Sequence, residues 1–148
     1  MCKLKIVFRA PKQNEELELA EIRARSMKDS LVNAGRYDEV KVRQRLLDTY
    51  KKENTIVFEL QNNVIGFYSI TENKNNFYLN HLYIDVFYQN QGYGRIVLEH
   101  IKENYKNKDI LLNALKGSSA NNFYKKNGFI KEKEDDIDNY YIYKVISN

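Results

Sequence analysis

Hydrophobic positions along this chain recur with two periods, and each change of period marks an element. Lys3 to Arg9 alternates, with Leu4, Ile6 and Phe8 against mostly charged neighbours, as a half-buried strand does; Pro11 closes it. Glu16 to Leu31 carries Leu17, Ala20, Ile22, Ala24, Met27 and Leu31 at near-helical spacing, and Gly35 stops the helix. Asp38 has the chemistry of an N-cap for a second helix to about Lys52, with Val42, Leu46, Leu47 and Tyr50 on one face. Thr55 to Leu60 and Val64 to Ile70 are β-rich runs joined by the polar turn Gln61-Asn62-Asn63, which predicts a hairpin. After a turn at Asn73 to Asn76, a further strand is predicted over Phe77 to Val86. Arg95 to Tyr105 is predicted helical, with Ile96, Val97, Leu98, Ile101 and Tyr105 as its apolar stripe. Ile110 to Leu115 reads as a strand, Ala120 to Lys126 as a helix, and Phe129 to Lys133 and Asp138 to Ile146 as the last strands. The order β-α-α-β-β-β-α-β-α-β-β predicts an α/β fold of the α+β kind. Its mixed sheet is mainly antiparallel, with one parallel βαβ crossover and about four helices.

Composition narrows the class. A chain of 148 residues with 43% hydrophobic residues suits one domain, 1–148, with a real core, and 30% charged residues weigh against disorder. Cys2 is the single cysteine, so an internal disulfide is excluded and a reducing cytoplasm is expected. No signal peptide or lipid anchor is expected at the polar N-terminus, and no apolar run approaches the roughly eighteen residues of a membrane span. A net charge of +4 and a pI of about 9.0 suit a polyanionic ligand, nucleic acid included. The positive residues are dispersed, however, and pairs such as Lys51-Lys52 and Lys125-Lys126 read as solvated faces rather than a phosphate track.

The chemistry begins at Gln89-Asn90-Gln91-Gly92-Tyr93-Gly94-Arg95, between a predicted strand and a predicted helix. The first amides of a helix lack intrahelical acceptors and carry partial positive charge, and glycine admits a bulky phosphate to the backbone. A pyrophosphate-bearing ligand is therefore expected. No P-loop run is present, and Val97 stands where a dinucleotide fingerprint requires its third glycine. Gln89, Gly92 and Gly94 instead satisfy Gln/Arg-x-x-Gly-x-Gly/Ala. Further on, Ala120, Phe123, Tyr124, Gly128 and Phe129 fall in the register Ala-x-x-Phe-Tyr-x-x-x-Gly-Phe. Together, from Thr55 to Lys144, these motifs resemble the acetyl-CoA-binding GNAT N-acetyltransferase superfamily. The chain departs from it at Gly117, where the family motif commonly has Asn; Ser118 or Ser119 is the available substitute.

The resemblance implies an N-acetyltransferase that moves an acetyl group from acetyl-CoA to a primary amine, in the cytoplasm that cysteine usage suggests. Direct transfer within a ternary complex is expected because no nucleophilic cysteine sits near the motifs, and no metal is expected. The amides of Gln91, Gly92, Tyr93, Gly94 and Arg95 would cradle the diphosphate. The main chain of Ile84 and Val86, and Ser118, would hold the pantetheine arm. The resemblance assigns Tyr124 as the general acid for the leaving thiolate; a phenol of pKa about 10 is matched to a thiol of about 8.5. In a chain with 12 tyrosines the ordinary reading of any one is a core aromatic, and only the motif register raises Tyr124 above the others.

An alkylammonium of pKa about 10.4 must lose a proton before it attacks. His81 is the candidate base, on a face shared with Leu79, Tyr83 and Asp85; a packed, satisfied histidine and a water chain are the alternatives. His100 is expected at the surface. Glu132, Glu134, Asp135, Asp136 and Asp138 either attract a cationic amine or form a polar hairpin tip, and the tip is the commoner fate of such runs. Tyr141 and Tyr143 share a face of the last strand. The first two helices are expected to wall the acceptor side, where Arg23, Arg25, Arg36, Tyr37 and Arg43 are available to an anionic acceptor group. The partners expected are a small-molecule or peptide amine, with no nucleic acid and no membrane, in a monomer or homodimer. A CoA-binding module without activity is the competing reading.

Overall fold

The computed structural model describes residues 5–145, so the expectations placed on Cys2, Lys3, Leu4 and Ile146 lie outside the described residues. The strands are β1 (Ile6–Arg9), β2 (Thr55–Leu60), β3 (Asn63–Glu72), β4 (Asn76–Ile84), β5 (Asp109–Leu115), β6 (Ile130–Glu134) and β7 (Asp138–Tyr143). The helices are α1 (Glu16–Asn33), α2 (Glu39–Thr49), α3 (Tyr93–Asn104) and α4 (Ala120–Lys126). The element order is the one the hydrophobic pattern predicts, with two short 3-10 turns added at Lys52–Asn54 and Val86–Tyr88. The strands form a seven-stranded sheet in the order β1-β2-β3-β4-β5-β7-β6. β4 and β5 pair in parallel, and β1–β2, β2–β3, β5–β7 and β6–β7 are antiparallel. The parallel crossover runs through α3, so the glycine loop sits where a strand hands over to a helix.

Contacts divide the chain into two compact units. The first comprises the residues up to Ser69 with His81–Gln91, and the second comprises Ile70–Asn80 with the residues from Gly92 onward.

In the first unit α1 is amphipathic about a line through Leu19, Ile22 and Arg23, all buried. Leu17, expected on that face, lies two residues or roughly 200° around the helix from Leu19 and is 63% exposed. Asp38 caps α2 as expected, accepting from the amides of Val40 and Lys41. The helix ends at Thr49 rather than near Lys52, because Tyr50 takes an extended conformation. Leu19, Ala20, Ile22, Leu46, Val57 and Phe67 form the buried cluster beneath these helices, with Tyr83 packed against it. The β2–β3 hairpin turns on Gln61 and Asn62, both at positive φ (51° and 67°), as a two-residue turn of matching twist requires. Gly66 has a packing reason to be glycine: a Cβ there would meet the Tyr83 carbonyl oxygen at 2.1 Å.

The second unit buries Val97, Leu98 and Ile101 of α3, alternate residues Ile110, Leu112 and Ala114 of β5, and Tyr124, Phe129 and Tyr141. Ile96, expected in the α3 stripe, is 49% exposed, since three consecutive helical residues span too wide an arc to share one face. Rings pack in tilted and edge-on contact from Phe123 through Tyr124 to Phe129 and Tyr143, at centroid separations of 5.3 to 5.5 Å.

Candidate active site

In the first unit, the sequence predicts β4 through Val86, but the strand stops at Ile84. The amide of Asp85 donates to the Ile65 carbonyl at 2.7 Å, and its buried carboxylate receives two N–H groups of Arg25 at 2.8 and 3.1 Å. Those bonds turn the chain, and Val86 opens a 3-10 turn instead of continuing the strand. The Ile84 carbonyl at the strand end accepts from Ser26 Oγ at 3.0 Å and from Gln89 Nε2 at 2.8 Å. The glutamine of the glycine-loop motif therefore ties its own loop back to the strand that feeds it. Motif matching flags Gln89 without revealing this bond. Gln91 Nε2 donates to the Phe87 carbonyl at 3.2 Å, a second tether in the loop.

His81 Nδ1 lies 3.0 Å from Tyr83 Oη, and its ring packs near those of Phe67 and Tyr83. Burial, reinforced by the charge of Arg23, pushes its pKa down to about 4, so the imidazole is neutral at physiological pH. Tyr83 Oη accepts from Arg23 Nε at 3.0 Å and also pairs with His81 Nδ1. With the Tyr83 hydroxyl as donor the neutral ring carries its hydrogen on Nε2; with it as acceptor, on Nδ1.

Of the cationic side chains foreseen for an anionic acceptor, Arg25 is matched by Asp85 and Arg43 by Glu21. Arg23 is buried at 6% exposure, and its hydrogen-bond partners are neutral. A cavity of about 620 Å³ in this unit is lined by Arg9, Lys12, Glu15, Glu59, Asn62 and Asn63, and none of the motif residues lines it.

In the second unit, α3 begins at Tyr93, two residues before the predicted start, because Gly92 adopts φ +88° and serves as its N-cap. No side chain caps this end and no acidic residue occupies the first turn. The space where a Gly92 Cβ would project is open to 4 Å. The result is an uncapped helix N-terminus with its first amides uncommitted within the helix, Tyr93 and Gly94 half-buried and Arg95 exposed.

Tyr124 is 7% exposed on α4, among Phe123, Phe129 and Tyr141, and its carbonyl accepts from the amides of Asn127 and Phe129. Its helix is anchored by a residue that sequence reading passes over. Asn121, 9% exposed, donates from Nδ2 to the Leu115 and Ser118 carbonyls at 2.9 and 3.0 Å and to Ser118 Oγ at 3.3 Å. Its Oδ1 accepts from Asn139 Nδ2 at 2.9 Å and Tyr141 Oη at 2.8 Å. The only signal for it in the sequence is its place directly after the motif alanine. Ser118 is thereby drawn into shaping the start of α4.

The acidic run is the polar tip of the β6–β7 hairpin. Lys116 and Lys131 hold the Glu134 carboxyl down at about 2. The Tyr140 hydroxyl and two backbone amides hold Asp135 at about 2. His100 is half-buried on α3, with Asn104 Nδ2 donating to its carbonyl. Among the described residues no cluster of His, Cys, Asp or Glu is placed to hold a metal, and no helix is long and apolar enough to cross a membrane.

Against solved structures, the chain is similar to the PaiA N-acetyltransferase of Thermoplasma acidophilum, crystallised with coenzyme A. The two share 23% identity over 95% of this chain and 99% of that one, with a TM-score of 0.78. An acetyltransferase from Thermus thermophilus aligns at 16% identity over 94% and 96% of the two chains, with a TM-score of 0.75. The ribosomal-protein-S18-alanine N-acetyltransferase of Escherichia coli aligns at 15% identity over 97% and 96%, with a TM-score of 0.73. At these identities the likeness is one of fold. No curated protein sequence matches. The family model of the acetyltransferase (GNAT) domain matches residues 51–131, more than half of the chain, and the chain belongs to that family.

Proposed function

We propose that this protein is an N-acetyltransferase that takes acetyl-CoA and passes the acetyl group directly to a primary amine, residues 1–148 acting as one domain. The observation that carries this reading is the uncapped start of α3 behind a left-handed Gly92, on the connection of the one parallel crossover. The residues present fit a CoA diphosphate. The open side of Gly92 would admit it, the amides of Gln91 to Arg95 are the groups that would hold it, and no carboxylate in the first turn would repel it. Pairing of β4 with β5 covers Asn76–Tyr78 against Asp109–Leu111, while the strands continue to Ile84 and Leu115. In this reading the main chain at the end of β4 holds the amide-bearing pantetheine. Ile84 contributes its N–H, since its carbonyl is committed to Ser26 and Gln89, and Val86 contributes from the turn; Ser118 lies in the loop before α4.

Bound acetyl-CoA supplies an activated thioester. Tyr124 delivers its phenolic proton to the departing sulfur, and an amide near Ile84 steadies the charge on the carbonyl oxygen. His81 keeps a neutral ring on the acceptor side. Moving a proton from an alkylammonium of about 10.4 to a histidine held at about 4 is uphill by roughly six pKa units, about 9 kcal/mol. In this reading the amine attacks in its neutral form, its proton having been released to bulk solvent through a water chain. Gly117, standing in place of the family Asn, favours the competing reading of a CoA-binding module without activity. Thiol release from acetyl-CoA against a panel of amines separates the two. Turnover that drops in Tyr124→Phe supports the enzyme; CoA binding with no turnover of any amine supports the module.

A further inference from the structure

The arginines of the first unit differ in how their charge is met. Arg9 lies 2.7 Å from both Glu15 and Glu59, Arg25 lies 2.8 Å from Asp85, and Arg43 lies 2.6 Å from Glu21. Arg23 is more deeply buried than any of these, at 6% exposure, and among the described residues it forms no ion pair. Its Nε–H goes to the Tyr83 hydroxyl and its Nη1–H to the Val42 carbonyl, both neutral acceptors, and its guanidinium lies 5.8 Å from the Tyr83 ring centroid. Asp85, the buried acid near the end of the same strand, is taken by Arg25 through both carboxylate oxygens. Nη2 of Arg23 has no acceptor among the described residues, and the residue keeps 6% of its surface in contact with solvent.

A cation withdrawn from water without a counter-charge is unfavourable, and an arriving anion relieves that cost. The unmatched charge here is single. The neighbouring His81 ring is neutral and directed at Tyr83, so it adds no second positive charge. A planar monoanion matches one guanidinium edge, whereas a phosphate dianion would remain half uncompensated.

We propose that Arg23 is the anchor of an anion site bounded by α1, α2 and β4, and that the acceptor is an amine carrying a carboxylate. The acceptor clause rests on the acetyl-transfer reading; the anion site does not. The test uses ω-amino carboxylates of two to six carbons beside their carboxamides. With acetyl-CoA and thiol release as readout, each carboxylate should exceed its carboxamide at least tenfold in kcat/KM. Arg23→Met should bring the ratio close to one, and Arg23→Lys should keep part of it. Equal turnover within the wild-type pairs overturns the proposal.

A second arm needs neither turnover nor a folded variant. The His81 ring resonances of the wild-type protein are followed by NMR during titration with 5-aminovalerate and with 5-aminovaleramide. Shifts with the carboxylate alone support the site; shifts with both, or with neither, refute it. Should no amine be acetylated at all, the acetyl-transfer reading fails while this arm still decides the anion site.

Discussion

At the scale of single residues, Tyr124 and His81 illustrate two fates of a chemically capable side chain. Tyr124 is packed among aromatics, and the case for its role is the motif register with the proton the sulfur requires. Tyr124→Phe keeps that packing and removes the proton. It should lower kcat by about 100-fold and leave CoA affinity unchanged, as steady-state kinetics and calorimetry would show. His81 has an ordinary pKa of about 6.5 in the unfolded chain and one pushed down to about 4 in the fold. Between those values the unfolded state binds the extra proton. Stability is therefore full above pH 6.5, falls as pH drops toward 4, and levels off below. The full loss is on the order of 3 kcal/mol. Urea unfolding across that window should show the decline in the wild type and a flatter curve in His81→Gln.

At the scale of elements, the strand end and the short α4 position the proposed chemistry, and each hangs on side chains bonded to backbone. Asn121 joins the Leu115 and Ser118 carbonyls to Asn139 and the Tyr141 hydroxyl. Asn121→Ala would strand several buried polar groups and should cost about 3 kcal/mol, read as a shift in the urea midpoint. Element order and type are legible from the sequence because apolar period is a local property. Boundaries are less so. The pattern carries β4 two residues too far because Val86 looks like a strand residue. Its turn is imposed by bonds from Asp85 to Ile65 and Arg25, distant in sequence. Leu17 and Ile96 fall on buried faces in the pattern for the same reason: periodicity gives a stripe, and packing fixes its phase. In the candidate site, Gly92 and Gly94 are visible as a pattern, whereas the side-chain bond of Gln89 and the unmatched charge of Arg23 exist only once strands and helices have come together. The acidic run looks like a possible amine attractor on charge alone. The structure makes it a hairpin tip in which lysines meet Glu134 and the Tyr140 hydroxyl meets Asp135.

At the scale of the whole molecule, family membership and the sheet topology fit a net charge of +4 that favours an anionic ligand without a concentrated nucleic-acid track. A ligand bound only by the native state stabilises it by mass action, about 2.7 kcal/mol at one hundred times its dissociation constant. Coenzyme A should therefore raise the melting temperature in a concentration-dependent way, and more weakly in Gly92→Val, where a β-branched side chain is forced to a φ of +88°. The most direct single measurement is a calorimetric titration of the wild-type protein with coenzyme A. The account predicts saturable heat with one molecule bound per chain. A flat titration at millimolar ligand would contradict it.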